Sequence, residues 1–214
     1  LNKDTQIPWV SKRGEYYYNF WQDQANPRGL LRRTTLDEYR KAKPAWETVL
    51  DIDALGKAEG KDWVYQGSQP LAPEYRYCLM QLSPDGGDAT EIREFDLVAK
   101  RFVKDGFNVP VAKSRVSWVD RDTLFIATDF GPGSMTQSGY ARIAKRWRRG
   151  TPLSAAETLY EAQPEDMAVF AYHDRTPGFE RDFVGRSLDF YRRDYFLLAQ
   201  DGRQIKIDIP ADAD

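Results

Sequence analysis

The sequence predicts an all-β fold made of about four repeated units of four strands each, the build of the blades in a β-propeller. Short stretches rich in Tyr, Phe, Val, Ile and Thr recur through the 214 residues, and Gly, Pro, Asp and Asn bound them. Long amphipathic helical patterns are nearly absent. The stretches also return in a common order, which is typical of a repeat architecture.

The strand-like stretches are apolar and aromatic, and the clearest are EYYYNFW at 15–21, YRYCLMQL at 75–82, TLFIAT at 123–128 and DMAVFAY at 166–172. The best helical candidate covers residues 36–45. It ends at Pro44, because the proline ring disfavours a continuing helix. The sequence therefore predicts strands almost throughout, with one short helix.

Each unit is expected to run from an opening strand through a charged second strand to a short outer strand. The expected outer strands lie at 46–52, near 100–103, at 157–162 and at 204–209. The resulting units are residues 1–58, 59–108, 109–162 and 163–214, each of roughly 50 residues, which suits a four-stranded blade. A β-sandwich also accommodates short strands with this spacing, so the pattern alone leaves both open.

A tight turn is expected at SPDG, residues 83–86. Pro84 presets φ at the second position of the turn, and Gly86 relieves crowding at the fourth. The DG pair at 201–202 is expected to form a similar turn in the last unit.

The charge balance argues against partners recruited by a global field. The chain carries 31 basic and 33 acidic residues, a net charge of -2, so neither nucleic acid nor an anionic membrane is an expected partner. No apolar run approaches the ~20 residues of a membrane helix, and the first ten residues lack a signal-peptide pattern. A soluble protein of the cytoplasm or periplasm is expected. Because the chain begins at Leu1, an upstream segment with any targeting signal is expected to have been removed.

Metal and cofactor sites are not expected, because the softer ligands are scarce. A single cysteine, Cys78, excludes an internal disulfide framework and a thiolate zinc site. A single histidine, His173, excludes multi-histidine metal sites and leaves one position for the commonest general base.

No catalytic residue is predicted from the motifs. A nucleophile elbow needs Gly-x-Ser-x-Gly, and neither Ser134 nor Ser138 has those flanking glycines. His173 adjoins Asp174 and has the form of an oriented base, but it ends a strand and begins a polar turn, where a hydrogen-bonded surface imidazole is the more common role. Cys78 lies among aromatic and aliphatic neighbours, which favours a buried thiol over a nucleophile.

Two further motifs suggest phosphate or nucleic-acid binding and are better explained by structure. KRWRR at 145–149 places basic residues around a tryptophan, but strand alternation divides these charges between two faces. GPGS at 131–134 lacks the Gly-Lys-Thr ending and the following helix of a phosphate loop. A solvated strand and a long inter-strand loop are expected instead.

Several segments together resemble the N-terminal propeller of prolyl oligopeptidase family serine peptidases. They are RGEYYYN at 13–19, TEIREFD at 90–96, FV at 102–103, SRVSWVDRDTL at 114–124, TDFGPGSMTQSGY at 128–140 and KRWRRGTP at 145–152. The resemblance implies a seven-bladed propeller that caps an α/β-hydrolase domain, of which this chain holds about blades one to four. The four blades either remain an open arc of that larger ring or close into a small complete ring, and the sequence leaves both open. It also implies that the catalytic serine, aspartate and histidine all lie outside the chain.

The resemblance implies a function for the chain as the non-catalytic gate of a serine-type endopeptidase. The expected partners are its own C-terminal hydrolase domain and the short peptides admitted to it, and the isolated chain is expected to self-associate through uncovered blade faces. The alternative is a stand-alone propeller-like interaction module with no enzymatic parent. The reading frame after residue 214 separates the two, since only the first predicts a downstream Gly-x-Ser-x-Gly elbow.

Overall fold

The structure, a computed structural model that describes residues 8–210, consists of four antiparallel sheets and two short helices. The chain divides into two compact units, Leu1–Pro110 and Val111–Asp214. Each unit contributes two sheets.

Sheets 1 and 2 belong to the first unit, and their strands follow chain order across each sheet. Sheet 1 contains β1 (Ser11–Arg13), β2 (Tyr16–Trp21), β3 (Leu30–Thr34) and β4 (Glu47–Asp51). Sheet 2 contains β5 (Val64–Pro70), β6 (Tyr77–Ser83), β7 (Thr90–Asp96) and β8 (Arg101–Phe102), and β9 (Asn108–Ala112) also pairs with β7. Helices α1 (Leu36–Tyr39) and α2 (Ile52–Glu59) precede and follow β4.

Sheets 3 and 4 belong to the second unit and have the same up-and-down order. Sheet 3 contains β10 (Arg115–Asp120), β11 (Thr123–Ala127), β12 (Ile143–Arg148) and β13 (Glu157–Glu161), with a 3-10 turn (Leu153–Ala155) before β13. Sheet 4 contains β14 (Ala168–Asp174), β15 (Arg181–Ser187), β16 (Arg193–Leu198) and β17 (Gln204–Lys206).

The expected outer strands correspond to β4, β8, β13 and β17, each of which ends its sheet path. The division expected near residue 162 falls between sheets 3 and 4, and the one near 58 falls in α2. The division expected near 108 falls at the start of β9, which pairs with β7 and therefore extends sheet 2.

The predicted helix at 36–45 is wrong in length, because only Leu36–Tyr39 is helical. The side chain of Thr35 caps it by accepting from the backbone N–H of Glu38. The Glu38 carboxylate then accepts from the backbone N–H of Ala45 at 3.2 Å and pairs with Lys41. These contacts hold the following residues in a loop that folds back onto α1.

Helix α2 was not predicted, although both of its ends are signalled in the sequence. The side chain of Asp51 accepts from the backbone N–H of Ala54, and Gly60 ends the helix in the left-handed conformation at φ +63°. The helix is eight residues long and contains Gly56, so its periodic pattern is too short to stand out. Its first residue, Ile52, is fully buried, which shows that packing decides its conformation.

The core of each unit lies between its two sheets. In the first unit it joins Tyr18, Leu31 and Val49 of sheet 1 to Cys78, Met80, Phe95 and Leu97 of sheet 2 and its following turn. In the second unit, Phe125, Ala127 and Ala144 of sheet 3 pack with Val169, Ala171 and Val184 of sheet 4. Each sheet therefore buries one face against its neighbour in the same unit.

In the bend that connects β6 to β7, the segment Ser83–Gly86 places Gly86 in the left-handed backbone conformation. Gly86 has φ +81°, and its N–H donates to the Ser83 hydroxyl at 2.9 Å. The Ser83 hydroxyl in turn donates to the Asp85 carboxylate at 3.0 Å. These hydrogen bonds hold Gly86 in a backbone conformation that is strained for residues with a side chain.

Replacing Gly86 by valine is expected to lower the free energy of unfolding by about 1–3 kcal/mol, because a β-branched residue tolerates this conformation poorly. Thermal and urea unfolding of the purified variant measure the loss. Gly86→Asn is the matched control, since asparagine enters the left-handed region more readily. Equal stability of the valine variant and the parent would contradict the assignment.

Cys78 is fully buried in the core of the first unit. Its thiol donates to the backbone carbonyl of Phe95 at 3.8 Å, and burial raises the pKa of Cys78 to about 12. The thiol is therefore protonated and inaccessible at neutral pH.

A thiol reagent such as DTNB is expected to leave Cys78 unmodified in the folded chain at pH 8 and to modify one thiol per chain in urea. Absorbance of the released thiolate measures both values. Rapid stoichiometric labelling without denaturant would show that this part of the core opens readily.

Candidate functional site

An open cleft of about 810 Å³ lies in the second unit, where the ends of sheets 3 and 4 meet. Its lining is rich in charged side chains and includes Arg146, Glu157, His173, Phe179, Asp182 and Leu198. It also contains His173, the single histidine of the chain, and histidine is the side chain most suited to acid–base chemistry near neutral pH.

The histidine in this cleft is held by a carboxylate from the neighbouring strand. His173 on β14 lies directly opposite Asp182 on β15, and His173 Nδ1 is 2.7 Å from Asp182 Oδ1. Arg146 on β12 places Nη2 at 3.4 Å from Asp182 Oδ2 and Nη1 at 3.7 Å from Glu157 Oε2. We call Arg146, Glu157, His173 and Asp182 the cleft charge cluster, and it connects sheet 3 to sheet 4.

Asp174, the neighbour of His173 in sequence, has a different role. Its carboxylate accepts from the backbone N–H of Thr176 at 2.8 Å and from the Thr176 hydroxyl at 2.7 Å. These hydrogen bonds lower the pKa of Asp174 and order the turn between β14 and β15. Asp182 was not predicted as a partner of His173. The available signal was the Pro177–Gly178 turn, which folds the flanking strands into a hairpin.

The described contacts of His173 do not form a nucleophile–base pair. Within residues 8–210, no hydroxyl or thiol hydrogen-bonds to His173, whose charged partner is Asp182. A covalent hydrolytic mechanism needs a nucleophile within hydrogen-bonding reach of the base. The geometry of the cleft charge cluster is therefore that of an ion-paired seam between sheets.

The two serines considered as nucleophiles lie in the loop between β11 and β12. Ser134 is buried. Its hydroxyl accepts from the backbone N–H of Phe130 at 2.8 Å and donates to the backbone carbonyl of Gly131 at 2.6 Å. Ser138 is exposed at the surface of the same loop. Ser134 therefore stabilises the GPGS segment, as a structural loop requires.

The basic run at 145–149 is engaged by neighbouring groups of the chain. Trp147 is buried, and Lys145 Nζ lies 4.5 Å from the centre of the Phe130 ring. Arg149 Nε donates to Asp122 Oδ1 at 2.8 Å. Aromatic and acidic groups of the chain therefore already contact Lys145 and Arg149.

In residues 8–210, no group of three or more His, Cys, Asp or Glu side chains is placed to hold a metal ion. None of the helices in this part of the chain is long and apolar enough to cross a membrane.

Comparison with known proteins gives relatives over nearly the whole chain. An uncharacterized peptidase of Sinorhizobium fredii is 39% identical over 200 residues, which is 91% of this chain and 28% of that protein. An uncharacterized peptidase of Rickettsia prowazekii is 33% identical over 217 residues, 95% of this chain and 30% of that protein. The chain thus spans less than a third of the length of these relatives.

Solved structures match the same fold. A post-proline cleaving enzyme from Rickettsia typhi superposes with a TM-score of 0.91 at 31% identity, covering 99% of this chain and 32% of that one. Oligopeptidase B from Leishmania major has a TM-score of 0.68 at 16% identity over 94% of this chain and 28% of that one, which shows a common fold. The match to these structures identifies the four sheets as propeller blades.

The family described as prolyl oligopeptidase, N-terminal β-propeller domain, matches residues 1–176. The resemblance found in the sequence is thereby confirmed, and so is the all-β propeller fold. The chain belongs to the N-terminal β-propeller domain family of prolyl oligopeptidases.

Proposed function

We propose that this chain is the non-catalytic gate of a longer serine-type endopeptidase and controls which peptides reach a hydrolase domain outside residues 1–214. The observation that carries the proposal is the family match, together with relatives that are themselves peptidases more than three times as long. One structural relative is a post-proline cleaving enzyme, which supports peptide-bond cleavage after proline as the reaction of the longer protein.

The packing of the sheets supports a gating role, because a size filter must be rigid. In the second unit, residues such as Phe125 and Val169 are fully buried between sheets 3 and 4. Arg175 from the turn after β14 donates to the carbonyls of Trp118 at 2.6 Å and Val119 at 3.0 Å on β10. Apolar burial and these cross-sheet hydrogen bonds resist separation of the two sheets.

The contacts of His173 support the non-catalytic part of the proposal. Its partner is the structural Asp182, and the hydroxyl of Ser134 is bound within its own loop. The purified chain is therefore expected to give no detectable turnover of short proline- or arginine-containing reporter peptides, measured by fluorophore release. The longer protein is expected to cleave the same peptides and to leave a folded protein with the same cleavage sequence intact.

Turnover by the chain that disappears in Ser134→Ala, Ser138→Ala or His173→Ala would contradict the proposal. Turnover that survives all three substitutions identifies a contaminating protease. A reading frame that ends near Asp214 without a Gly-x-Ser-x-Gly motif would also contradict it and would favour a stand-alone interaction module.

Sheet 4 has an apolar face turned away from the core of its unit. Strand alternation places Val169 and Ala171 in that core and Phe170 and Tyr172 on the opposite face. The opposite face is aromatic and aliphatic, with half-exposed side chains from all four strands: Phe170, Tyr172, Phe183, Tyr195, Leu197 and Ile205. We propose that a further blade covers this face in the longer protein.

The tight packing within this face supports a surface ordered for a partner. The Tyr172 and Phe183 rings stack with centroids 5.2 Å apart. The Phe170 ring lies against Gly185, where an added Cβ would be only 2.2 Å from a ring carbon. Such a flat aromatic surface is costly to leave in water.

The isolated chain is therefore expected to self-associate, with an apparent mass in light scattering that rises with concentration. Ile205→Lys places a charge on the face and is expected to reduce association. Ile209→Lys is the matched control, because Ile209 is 41% exposed against 42% for Ile205 but lies after β17. A strict monomer at all concentrations, or equal effects of the two substitutions, would contradict association through this face.

A further inference from the structure

A second, smaller pocket of about 280 Å³ lies in the first unit, beside strand β1. Its walls are mainly aromatic and apolar, and they include Trp9, Arg13, Tyr18, Phe20, Leu31 and Tyr65. It is an open depression whose polar members are Ser11, Arg13 and Asn19, and apolar pockets with a few placed polar groups are the usual form of a ligand site. The larger cleft of the second unit is different, because charged side chains that already pair with one another line it.

The charged group of this pocket is the guanidinium of Arg13. Arg13 Nη1 donates to the Ser68 hydroxyl at 3.1 Å, and its Cζ lies 5.0 Å from the centre of the Tyr18 ring. The Ser68 oxygen also accepts from the Tyr65 hydroxyl at 2.9 Å. Among residues 8–210, no carboxylate forms an ion pair with Arg13.

A half-buried guanidinium that meets no carboxylate within residues 8–210 is an incomplete arrangement. Arginine has five N–H donors in a planar fork that matches a carboxylate in two parallel hydrogen bonds. Burying a charge is costly unless it is paired, and the neutral hydroxyls of Ser68 and Tyr65, together with the Tyr18 ring, satisfy Arg13 only in part. The pocket therefore offers a preformed position for an anionic group.

The backbone beside the pocket offers a second kind of contact. Strand β1 lies at the end of sheet 1 and pairs with β2 along one side. Its other side is not paired with any strand of the described residues. A free strand edge binds an extended peptide by main-chain hydrogen bonds, while a neighbouring pocket takes one of its side chains.

We propose that this pocket binds the carboxyl-terminal end of a short peptide whose last side chain is apolar. The peptide lies along the free edge of β1, its terminal carboxylate accepts from Arg13, and its last side chain packs among Tyr18, Phe20 and Tyr65. A volume of about 280 Å³ suits one large side chain with its carboxylate. We call this the carboxylate pocket.

The first test compares two ligands on the unmodified chain. The probes are the tripeptide Ala-Ala-Phe with a free carboxylate and the same tripeptide as its carboxyl amide, with affinity measured by isothermal titration calorimetry. The free acid is expected to bind about tenfold more tightly, because only it makes the charge-assisted pair with Arg13. Equal affinities, or no binding of the acid, would overturn the proposal.

The second test locates the binding. Arg13→Gln is expected to reduce the affinity for the acid about tenfold and to leave that for the amide unchanged. Lys12→Gln is the matched control, because it removes the same charge from the preceding residue of β1, whose exposed side chain points to the other face of the sheet. It is expected to leave the affinity for the acid unchanged. An equal loss in both variants would reveal a long-range field and overturn the site.

Two other anions test whether the pocket prefers a peptide carboxylate to other anionic ligands. Hexanoate has a carboxylate and an apolar tail but no peptide groups, and inorganic phosphate has charge alone. Both are expected to bind more weakly than the tripeptide, and equal or tighter binding of either would overturn the assignment to a peptide. The ligand comparison on the unmodified chain decides the question even if Arg13→Gln fails to fold.

The carboxylate pocket is tested by binding to this chain alone, so its outcome does not depend on the proposed gating function. Absence of tripeptide binding would leave the gate proposal unaffected. A failure of the gate proposal, such as a reading frame without a hydrolase domain, would leave the binding result intact.

Discussion

Burial of one sheet face against the next is the interaction on which the rest of this structure depends. In the first unit, Cys78 and Met80 of sheet 2 are fully buried against Tyr18 and Leu31 of sheet 1. Each large apolar side chain buried in this way contributes about 1.5–3 kcal/mol. The strands are only two to seven residues long. Their hydrogen-bond ladders alone therefore do not account for the stability of the sheets, which also depends on the covering of their faces.

Charged groups also lie at the edges of these apolar seams. Arg33 is buried, donates to the Leu97 carbonyl at 2.9 Å and pairs with Glu47. Burial by itself disfavours the charged guanidinium, but the hydrogen bonds to Glu47 and Tyr18 outweigh it and raise the pKa of Arg33. In the second unit, the cleft charge cluster likewise lies between two sheets, sheet 3 and sheet 4. Removing the carboxylate partner of such a group would leave a buried charge uncompensated, which is strongly destabilising.

The faces that lie away from these seams differ in chemistry. On sheet 1, the Arg32 guanidinium lies between the rings of Trp21 and Trp46, 4.3 Å from each ring centre, and burial lowers the pKa of Arg32 to about 10. This face is closed by its own cation and aromatic rings. The corresponding face of sheet 4 has no such cation between its rings among the contacts described there, and it presents Phe170 and Phe183 directly. The difference makes the sheet 4 face the more apolar of the two surfaces.

The sequence by itself determined the strand content, the outer strands, the bend at Gly86 and the family, because alternation, glycine positions and motif letters are local properties. It also indicated that Ser134 and Cys78 are structural. Only the tertiary structure decided that Asp182, and not Asp174, holds His173, since their contact depends on the pairing of β14 with β15. The position of Arg13 in a pocket was also decided by the tertiary structure, because the pairing and packing of β2 and β5 bring aromatic side chains beside it. Its exposed neighbours in the sequence do not indicate those walls. Helix α2 was decided at this level too, because burial of Ile52 stabilises a segment whose own pattern is too short to predict.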